Sequence, residues 1–462
     1  MAGGDRWRGG LSVTAESRLR VYVDDVPHDV WPWALVRDAL TWHSEDALAG
    51  VRRGQLTVVD QSGSPVGLDG QIAEGARFYL RGGAEGVVEV APTGVAPDPA
   101  PQEGPEGGAT DRADDGITEE EVRDRIHAMP KTDLHVHLDG SLRPATIVEL
   151  ADEHGISLPT TDPEALGEYM FVKDARNLED YLARFGVTLS VMQHSEAIER
   201  IAYELCEDAA AENVRYMEIR YSPILLTGEG LPLPETVEAP LRGMRRAREE
   251  LGIDSSLIIC GIRNMEADVS RDLADLTIAY KNRGVVGFDL AGAEYNYPAK
   301  KHKNAFYMVR NANVNATIHA GEAYGPESIH QALHYCGAHR IGHGTRLYEG
   351  PDLMQFVNDH RIPLEICLTS NVQTRAVKDF ASHPVRLYFD RGLVVSLNTD
   401  NRLMSGTTVT KEHLRAWKHL GFTLDEIAEL VLNGFRSAFL HHAEKEALLA
   451  EVEPEIRRLA AT

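Results

Sequence analysis

The segment KTDLHVHLDG, residues 131–140, places two histidines one residue apart in an otherwise apolar run. Side chains alternate along a β-strand, so His135 and His137 share a face and can reach the same metal ion. Imidazole is a common ligand of Zn²⁺ and of other divalent transition metals. Two half-buried histidines that hydrogen-bond to neighbouring groups are the alternative for this motif taken alone. The spacing therefore indicates half of a metal site.

Further polar residues stand where other short apolar runs end. They are Glu294, His319, Glu322, His343, Thr369, Ser370, Asn371, Asn398, Thr399, Asp400 and Asn401. Burying so many polar groups at one end of several strands is costly unless a metal or a ligand compensates them. His319 and Asp400 would complete a set of three imidazoles and one carboxylate. Such a set suits Zn²⁺, while Fe²⁺, Mn²⁺ and Co²⁺ remain open.

A metal-dependent hydrolase also needs groups that move protons. Glu322 lies three residues beyond His319 and is a candidate proton donor to a heteroatom of the substrate. His343, in the motif RIGHGT, is a candidate base or electrostatic partner for an attacking hydroxide. Either side chain could instead orient a neighbouring group through a hydrogen bond.

The elements that must position these residues alternate between two types. Short β-branched runs are separated by longer segments with helical periodicity, which implies parallel strand pairing. The runs span residues 132–140, 215–223, 255–262, 285–292, 315–322, 340–345, 363–371 and 394–401. This number predicts an α/β fold, a (β/α)8 TIM-type barrel, whose active site lies at the carboxyl ends of the strands. A doubly wound open sheet is the alternative, but no glycine-rich phosphate turn follows the first run.

The chain before the barrel has a different pattern. Residues 17–90 read as a strand over residues 17–26, a short helix, a hairpin around Ser62–Pro65 and a final strand, which predicts a small α+β domain similar to a β-grasp module. Residues 91–116 are rich in Pro, Gly and Asp and predict a disordered linker. The barrel is then expected over residues 117–462. No catalytic constellation stands out in residues 17–90, so docking to a protein partner or to the barrel is the expected role.

Composition narrows the functional class. The 462 residues carry a formal net charge of −24, which argues against a nucleic-acid partner. The four cysteines form no C-x-x-C pair and lie in or beside apolar segments, which predicts buried free thiols in a reducing compartment. The sequence shows neither a secretory leader nor a membrane-spanning run, so a cytoplasmic location and no membrane partner are expected.

Taken together, the motifs TDLHVHLDGS, GFDLAGAE, HAGEAYGPESI, RIGHGT, LEICLTSNVQT and VSLNTDN resemble those of adenosine deaminases in the metal-dependent amidohydrolase superfamily. The resemblance covers about residues 125–455, in the family's order. It implies one zinc ion per chain, with the ligands His135, His137, His319 and Asp400. It also implies that Glu322 shares a proton with N1 of the purine, and that His343 and Asp400 hold and help to deprotonate the attacking water.

The resemblance further implies a purine nucleoside as substrate, contacted by His137, Asp139, Gly292 and Asn401. The N–H of Gly292 would bond to N3, and Asp139 would bond to the ribose hydroxyls; without the resemblance, Asp139 could be a simple turn residue. Many family members carry a second acid where this chain has Asn401. Its amide can still donate a hydrogen bond to N7, although the effects on rate and pH profile stay open.

The expected reaction is hydrolytic deamination of adenosine and 2′-deoxyadenosine to the inosine product and ammonia, as in purine salvage. One alternative is another 6-aminopurine, such as adenine, a 5′-modified adenosine or a nucleotide held by Arg143, Arg263 or Arg402. A second is a different hydrolysis within the same superfamily, and a third is a non-catalytic protein that works through residues 17–90. The sequence does not give the oligomeric state.

Overall fold

The computed structural model describes residues 116–172 and 184–461, the segments 19–30, 56–61, 64–66 and 76–82, and the single residues 36, 40, 51 and 182. The chain divides into two compact units, one of the described N-terminal residues and one of nearly all residues from 116 onward. The expected linker lies outside the described residues apart from Gly116. The domain boundaries at 17–90, 91–116 and 117–462 therefore stay predictions.

The N-terminal unit contains a four-stranded sheet in the order β2-β1-β4-β3. Its strands are β1 (Leu19–Val23), β2 (Val26–Val30), β3 (Leu56–Asp60) and β4 (Arg77–Gly82). β1 pairs parallel with β4 at the centre, while both outer pairs are antiparallel. The similarity to a β-grasp module stays a prediction. Val21, Val23, Val58 and Phe78 form its core because they point to one face of the sheet.

The predicted strand at the start of this unit is two strands. Asp24 and Asp25 have φ angles of 47° and 63° and connect β1 to β2. Positive φ at both central residues is the geometry of a tight hairpin turn, and aspartate adopts it more readily than most residues. The sequence prediction placed the hairpin at Ser62–Pro65; Ser62 and Gly63 lie outside the described residues, and Pro65 forms a bridge with Val59.

The second unit is an eight-stranded parallel barrel, as predicted. Neighbouring strands follow chain order from the first to the last. The strands are β5 (Lys131–His137), β6 (Val214–Tyr221), β7 (Asp254–Ile262), β8 (Val285–Ala291), β9 (Asn315–Ala320), β10 (Arg340–His343), β11 (Leu364–Ile366) and β12 (Val395–Leu397). The seventh predicted run is a strand only to Ile366, since Leu368–Gln373 is helical. Thr369, Ser370 and Asn371 therefore lie on a short helix.

Helices surround the strands and bury their apolar faces against them. They are α1 (Glu119–Ala128), α2 (Pro144–His154), α3 (Pro163–Met170), α4 (Phe185–Ser190), α5 (Ser195–Ala210), α6 (Leu233–Leu251), α7 (Ala267–Tyr280), α8 (Lys303–Asn311), α9 (Pro326–Gln331), α10 (Pro351–Asp359), α11 (Leu368–Gln373), α12 (Val385–Asp390), α13 (Arg402–Ser405), α14 (Val409–Leu420), α15 (Leu424–Ser437) and α16 (His442–Ala460). Among the described helices, none is both long and apolar enough to cross a membrane. All four cysteines are buried and unpaired, as predicted.

Side chains and backbone together close the barrel between β12 and β5. Val136 and Asp400 form a parallel bridge, and the N–H of His137 donates to the carbonyl of Asp400 at 2.7 Å. Asn398 accepts the N–H of Leu134 through its Oδ1 at 2.8 Å, and Thr399 donates to Asp133 at 2.6 Å. Asn398 and Thr399, two of the polar residues singled out in the sequence, therefore stabilise this closure.

A buried network of charges fills the barrel below the strand ends. Arg220 on β6 donates to Asp289 on β8 and to Glu365 on β11, both at 2.9 Å. Arg340 on β10 donates to Glu365 at 2.6 Å and also binds Glu218. Each charge is paired, which offsets the cost of removing it from water. The interior thus differs from the apolar layers that commonly fill such barrels.

Candidate active site

Three imidazoles and a carboxylate meet at the carboxyl ends of the barrel strands. His319 Nε2 lies 3.0 Å from His135 Nε2 and 3.1 Å from His137 Nε2. Asp400 Oδ1 lies 3.4 Å from His137 Nε2 and 3.7 Å from His135 Nε2. His343 is close to the same point, because one ligand atom each from His135, His319, His343 and Asp400 falls within a 4.8 Å span. The structure therefore brings together all four sequence-predicted ligands.

Two of the imidazoles are held by carboxylates through the ring nitrogen that faces away from the other proposed ligands. His135 Nδ1 lies 3.0 Å from Glu365, and His319 Nδ1 lies 2.9 Å from Asp289, so each ring donates its N–H to an acid. Both Nε2 atoms consequently present lone pairs to each other at 3.0 Å. Lone pairs in such contact repel unless a cation lies between them. The donor set therefore fits a divalent metal ion, with its imidazoles orientated by acids as metal-binding histidines usually are.

Burial keeps the two β5 histidines neutral, as metal ligands must be. It lowers the pKa of His135 and of His137 well below the ordinary value, and the positive charge of Arg220 acts in the same direction. Although burial opposes it, His319 and Arg220 hold the pKa of Asp289 below its usual range. Asp289 is thus a permanent negative charge behind His319. Asp289 and Glu365 lie within the apolar runs GFDL and LEIC. An acid inside a buried apolar strand needs a partner, and this is the signal by which the sequence could have revealed both residues.

Two of the site residues have an unusual backbone conformation. His343 has a φ of 63° and Asp400 a φ of 60°, both in the left-handed region. Such a residue costs about 1–3 kcal/mol and is found chiefly where function requires it. The conformation turns both side chains inward at the point where β10 and β12 end.

Glu322 follows β9 and lies in a buried environment. Its Oε1 accepts a hydrogen bond from Thr374 Oγ1 at 2.9 Å, and its Oε2 lies 3.6 Å from His343 Nε2. Burial raises the pKa of Glu322 to about 7; the bond from Thr374 opposes this, and the charge of Glu294 adds to it. A carboxyl group in this state can carry a proton near neutral pH and give it to a substrate.

A chain of hydrogen bonds determines which nitrogen of His343 carries the proton. The N–H of Val385 donates to His383 Nδ1 at 3.1 Å, so the proton of that ring lies on Nε2, 3.2 Å from Asn371 Oδ1. Asn371 Nδ2 then donates to His343 Nδ1 at 3.1 Å. Burial lowers the pKa of His343 to about 4, so the ring is neutral. It therefore presents an Nε2–H donor to the site.

Asp139 and Asn401 lie beside the metal-ligand set. Asp139 is buried, and its Oδ1 has no hydrogen-bond partner among the described residues. Burial raises the pKa of Asp139 to about 7, and the nearby Asp400 adds to the effect. An unpaired buried oxygen is costly, so a ligand with a hydroxyl or amine donor would satisfy it.

Asn401 contacts the carboxylate of its neighbour. Its Nδ2 donates to Asp400 Oδ1 at 2.8 Å, the same oxygen that faces the imidazoles. Its Oδ1 leaves no room for a side chain at Gly140, where a Cβ atom would come within 1.8 Å. Asn401 thus supports Asp400 directly, a role that the sequence did not suggest. Gly292, with a φ of 92°, lies just past β8 where the sequence placed it.

The chain is similar to known deaminases over most of its length. Residues 130–455 match the family model described as adenosine deaminase. An adenosine deaminase of Mycobacterium marinum is 42% identical over 73% of this chain and 97% of its own length. A probable adenosine deaminase of Dictyostelium discoideum is also 42% identical, over 69% of this chain, which spans only 41% of that relative.

The chain belongs to the adenosine deaminase family. Solved structures agree with this membership. An adenine deaminase of Arthrobacter aurescens is 31% identical with a TM-score of 0.67, over 71% of this chain and 100% of its own. A zinc-bound amidohydrolase of Burkholderia ambifaria is 28% identical with a TM-score of 0.68, over 75% and 96%. The N6-mAMP deaminase of Arabidopsis is 27% identical with a TM-score of 0.65, over 72% and 99%.

Membership of the adenosine deaminase family makes this chain a hydrolytic deaminase, and the family is metal-dependent. The match covers the barrel and leaves the N-terminal unit outside it. Both the predicted barrel and the predicted enzyme class are confirmed.

Proposed function

We propose that this chain converts adenosine and 2′-deoxyadenosine to inosine and 2′-deoxyinosine with release of ammonia, using one Zn²⁺ ion per chain. The observation that carries the proposal is the position of the buried Glu322 carboxyl beside the convergent imidazoles, with Oε2 3.6 Å from His343. A pure metal-storage or structural site would not need a proton donor there. A purine amine, in contrast, leaves only after its ring nitrogen and its amino group gain protons.

His135, His137, His319 and Asp400 would hold Zn²⁺, which would supply Lewis-acid activation of water. His343 orientates the attacking water by donating its Nε2–H, and Asp400 accepts a proton from that water. Glu322 donates its own proton to N1, which makes C6 more electrophilic. The proton held by Asp400 passes to the amino group as the C6–N bond breaks. The hydroxyl proton left on C6 returns to Glu322, which restores the starting state.

The remaining contacts would select the nucleoside. Asp139, whose Oδ1 lies 3.9 Å from His137 Nδ1 and has no hydrogen-bond partner among the described residues, would accept a hydrogen bond from a ribose hydroxyl. The N–H of Gly292 would bond to N3 of the purine. Asn401 Nδ2 has two N–H groups: one donates to Asp400 Oδ1, which supports that carboxylate, and the second would donate to N7.

The arginines considered for a nucleotide phosphate already have partners. Arg143 pairs with Glu207 and Asp208. Arg263 donates to the carbonyls of Tyr297 and His319, and Arg402 binds Asp133 and Glu212. Within residues 116–172 and 184–461, none of the three is free to hold a phosphate. This favours a nucleoside over a nucleotide, in contrast to the N6-mAMP deaminase named above.

The direct test compares initial rates on adenosine, adenine, AMP and 5′-substituted adenosines, with ammonia measured beside the ultraviolet change. We expect the highest kcat/KM on adenosine and 2′-deoxyadenosine. A higher value on adenine would assign the chain to the alternative 6-aminopurine class. If none of these compounds released ammonia, the deaminase proposal would be wrong.

Asp139 provides a test of the ribose contact. We predict that Asp139→Ala lowers kcat/KM for adenosine by about 10–100-fold, because a hydrogen bond to a buried acid is worth about 1.5–3 kcal/mol. The slow rate on adenine, which has no ribose, should change little and serves as the internal control. An equal loss on both substrates would show that Asp139 has no specific role toward ribose.

Metal removal provides a test of the ligand set. Chelation should abolish turnover and lower the thermal midpoint, because a ligand that binds only the folded state stabilises it. Restoring one equivalent of Zn²⁺ should recover both properties. Full activity in protein shown by elemental analysis to lack divalent metal would contradict the proposed cofactor.

A further inference from the structure

Glu294 lies in the loop that follows β8 and is buried. Its two carboxylate oxygens accept hydrogen bonds from four consecutive backbone N–H groups of the loop after β9. Oε1 lies 2.6 Å from the nitrogen of Gly321, and Oε2 lies 3.0, 2.7 and 3.0 Å from those of Glu322, Ala323 and Tyr324. We call residues 321–324 the proton-donor loop, because Glu322 is its second residue.

Four N–H groups that point to one spot form a concave anion site. Backbone groups in such a turn cannot pair with one another, so a buried carboxylate satisfies them where water is excluded. Gly321 has a φ of 74°, and a Cβ atom there would lie 2.4 Å from Ile329. The backbone conformation and the glycine thus agree with a turn built around an anion. Glu294 is that anion, contributed by the neighbouring strand–loop segment.

The hydrogen bonds from the proton-donor loop to Glu294 hold the backbone of Glu322, the proposed proton donor. With its backbone N–H held by Glu294, Glu322 directs its side chain so that Oε1 accepts from Thr374 at 2.9 Å. Its Oε2 then lies 3.6 Å from His343 Nε2. The contacts of Glu294 are with the loop backbone, and the four proposed metal ligands are not among them. Its removal should therefore misplace the proton donor without dismantling the ligand set.

Resting on the function proposed above, we propose that Glu294 is a positioning residue for the N1 proton donor: its carboxylate anchors the loop that holds Glu322 against the purine. Glu294 touches neither substrate nor metal in this role. Its contribution to rate comes through the placement of Glu322, where a shift of about 1 Å can cost about 10²-fold.

The experiment compares Glu294→Gln with wild type and with Glu327→Gln, an exposed acid on α9 that serves as the matched control. An amide at position 294 keeps the size of the side chain, but its NH2 group would face a backbone N–H of the proton-donor loop. Two donors cannot bond to each other, so the loop must shift. We expect kcat for adenosine to fall about 10²-fold with KM nearly unchanged. Zinc content should stay at the wild-type level, and Glu327→Gln should match wild type throughout.

Two inhibitors separate positioning from general damage. Purine ribonucleoside can add water across N1 and C6 and then resembles the N1-protonated intermediate, so its affinity should fall in parallel with kcat. An adenosine analogue with carbon in place of N1 cannot contact the Glu322 proton, and its inhibition constant should stay within about 2-fold. Unchanged kcat in Glu294→Gln would overturn the inference, as would equal loss of affinity for both inhibitors or loss of zinc. A wild-type enzyme that releases no ammonia from adenosine would instead overturn the proposed function on which the inference rests.

Discussion

Replacing Glu322 by Gln is expected to lower kcat for adenosine by about 10²–10⁴-fold, the usual contribution of a positioned acid. The amide keeps the length of the side chain and can still bond to Thr374. It cannot transfer a proton to N1, so C6 stays a poor electrophile. The metal ligands are untouched, so zinc content should equal that of wild type.

The measurement is steady-state kinetics together with metal analysis of the purified variant. Wild type should also lose kcat/KM as pH rises through the pKa of Glu322, because only the protonated carboxyl is active. Glu322→Gln should lack this alkaline decline, while Glu327→Gln should retain it. Turnover near the wild-type rate in Glu322→Gln would show that another group protonates the purine.

The periodicity of the sequence was sufficient to place the four proposed metal ligands at one end of the barrel. His135 and His137 share a face of β5 because side chains alternate along a strand. His319 and Asp400 lie where β9 and β12 end, and parallel strands of one barrel bring all their carboxyl ends together. The eight strands themselves could be predicted because each is a short β-branched run between helical segments. The ligand set therefore depended on local pattern and barrel closure alone.

Other features depend on contacts between distant segments and could not be read locally. The left-handed backbone of His343 and Asp400 is a strained conformation that their local sequence does not specify. The proton position on His343 depends on His383, 40 residues further along the chain, through Asn371. Each of these follows from tertiary packing, which no window of sequence contains.

The acids behind the histidines share one cation, and this gives Arg220 an unusual position. It donates to Asp289, which holds His319, and to Glu365, which holds His135, both at 2.9 Å. One buried guanidinium therefore holds both acids that orientate two of the proposed metal ligands, which come from different strands. The fork of Arg suits two carboxylates at once, whereas a Lys ammonium would satisfy them poorly.

We predict that Arg220→Met weakens zinc binding by about 10–100-fold, as is usual when the groups that orientate metal ligands are disturbed. It should also lower the free energy of unfolding by about 3–5 kcal/mol, because two buried carboxylates lose their shared cation. Competition with a chelator of known affinity measures the first effect, and urea denaturation of the metal-free protein measures the second. Arg215→Met, on the same strand but with a partly exposed side chain, is the matched control and should be neutral in both.

Arg340→Met distinguishes loss of stability from loss of ligand orientation. Arg340 pairs with Glu365 and Glu218, while Asp289 is held by Arg220 and His319. Arg340→Met should therefore destabilise the fold by an amount similar to Arg220→Met while leaving His319 in place. Its zinc affinity should consequently fall less than that of Arg220→Met. Equal affinity losses in the two variants would mean that metal binding follows overall stability. A larger loss in Arg220→Met would locate the effect in the shared cation, because only that substitution releases the acids behind both His135 and His319.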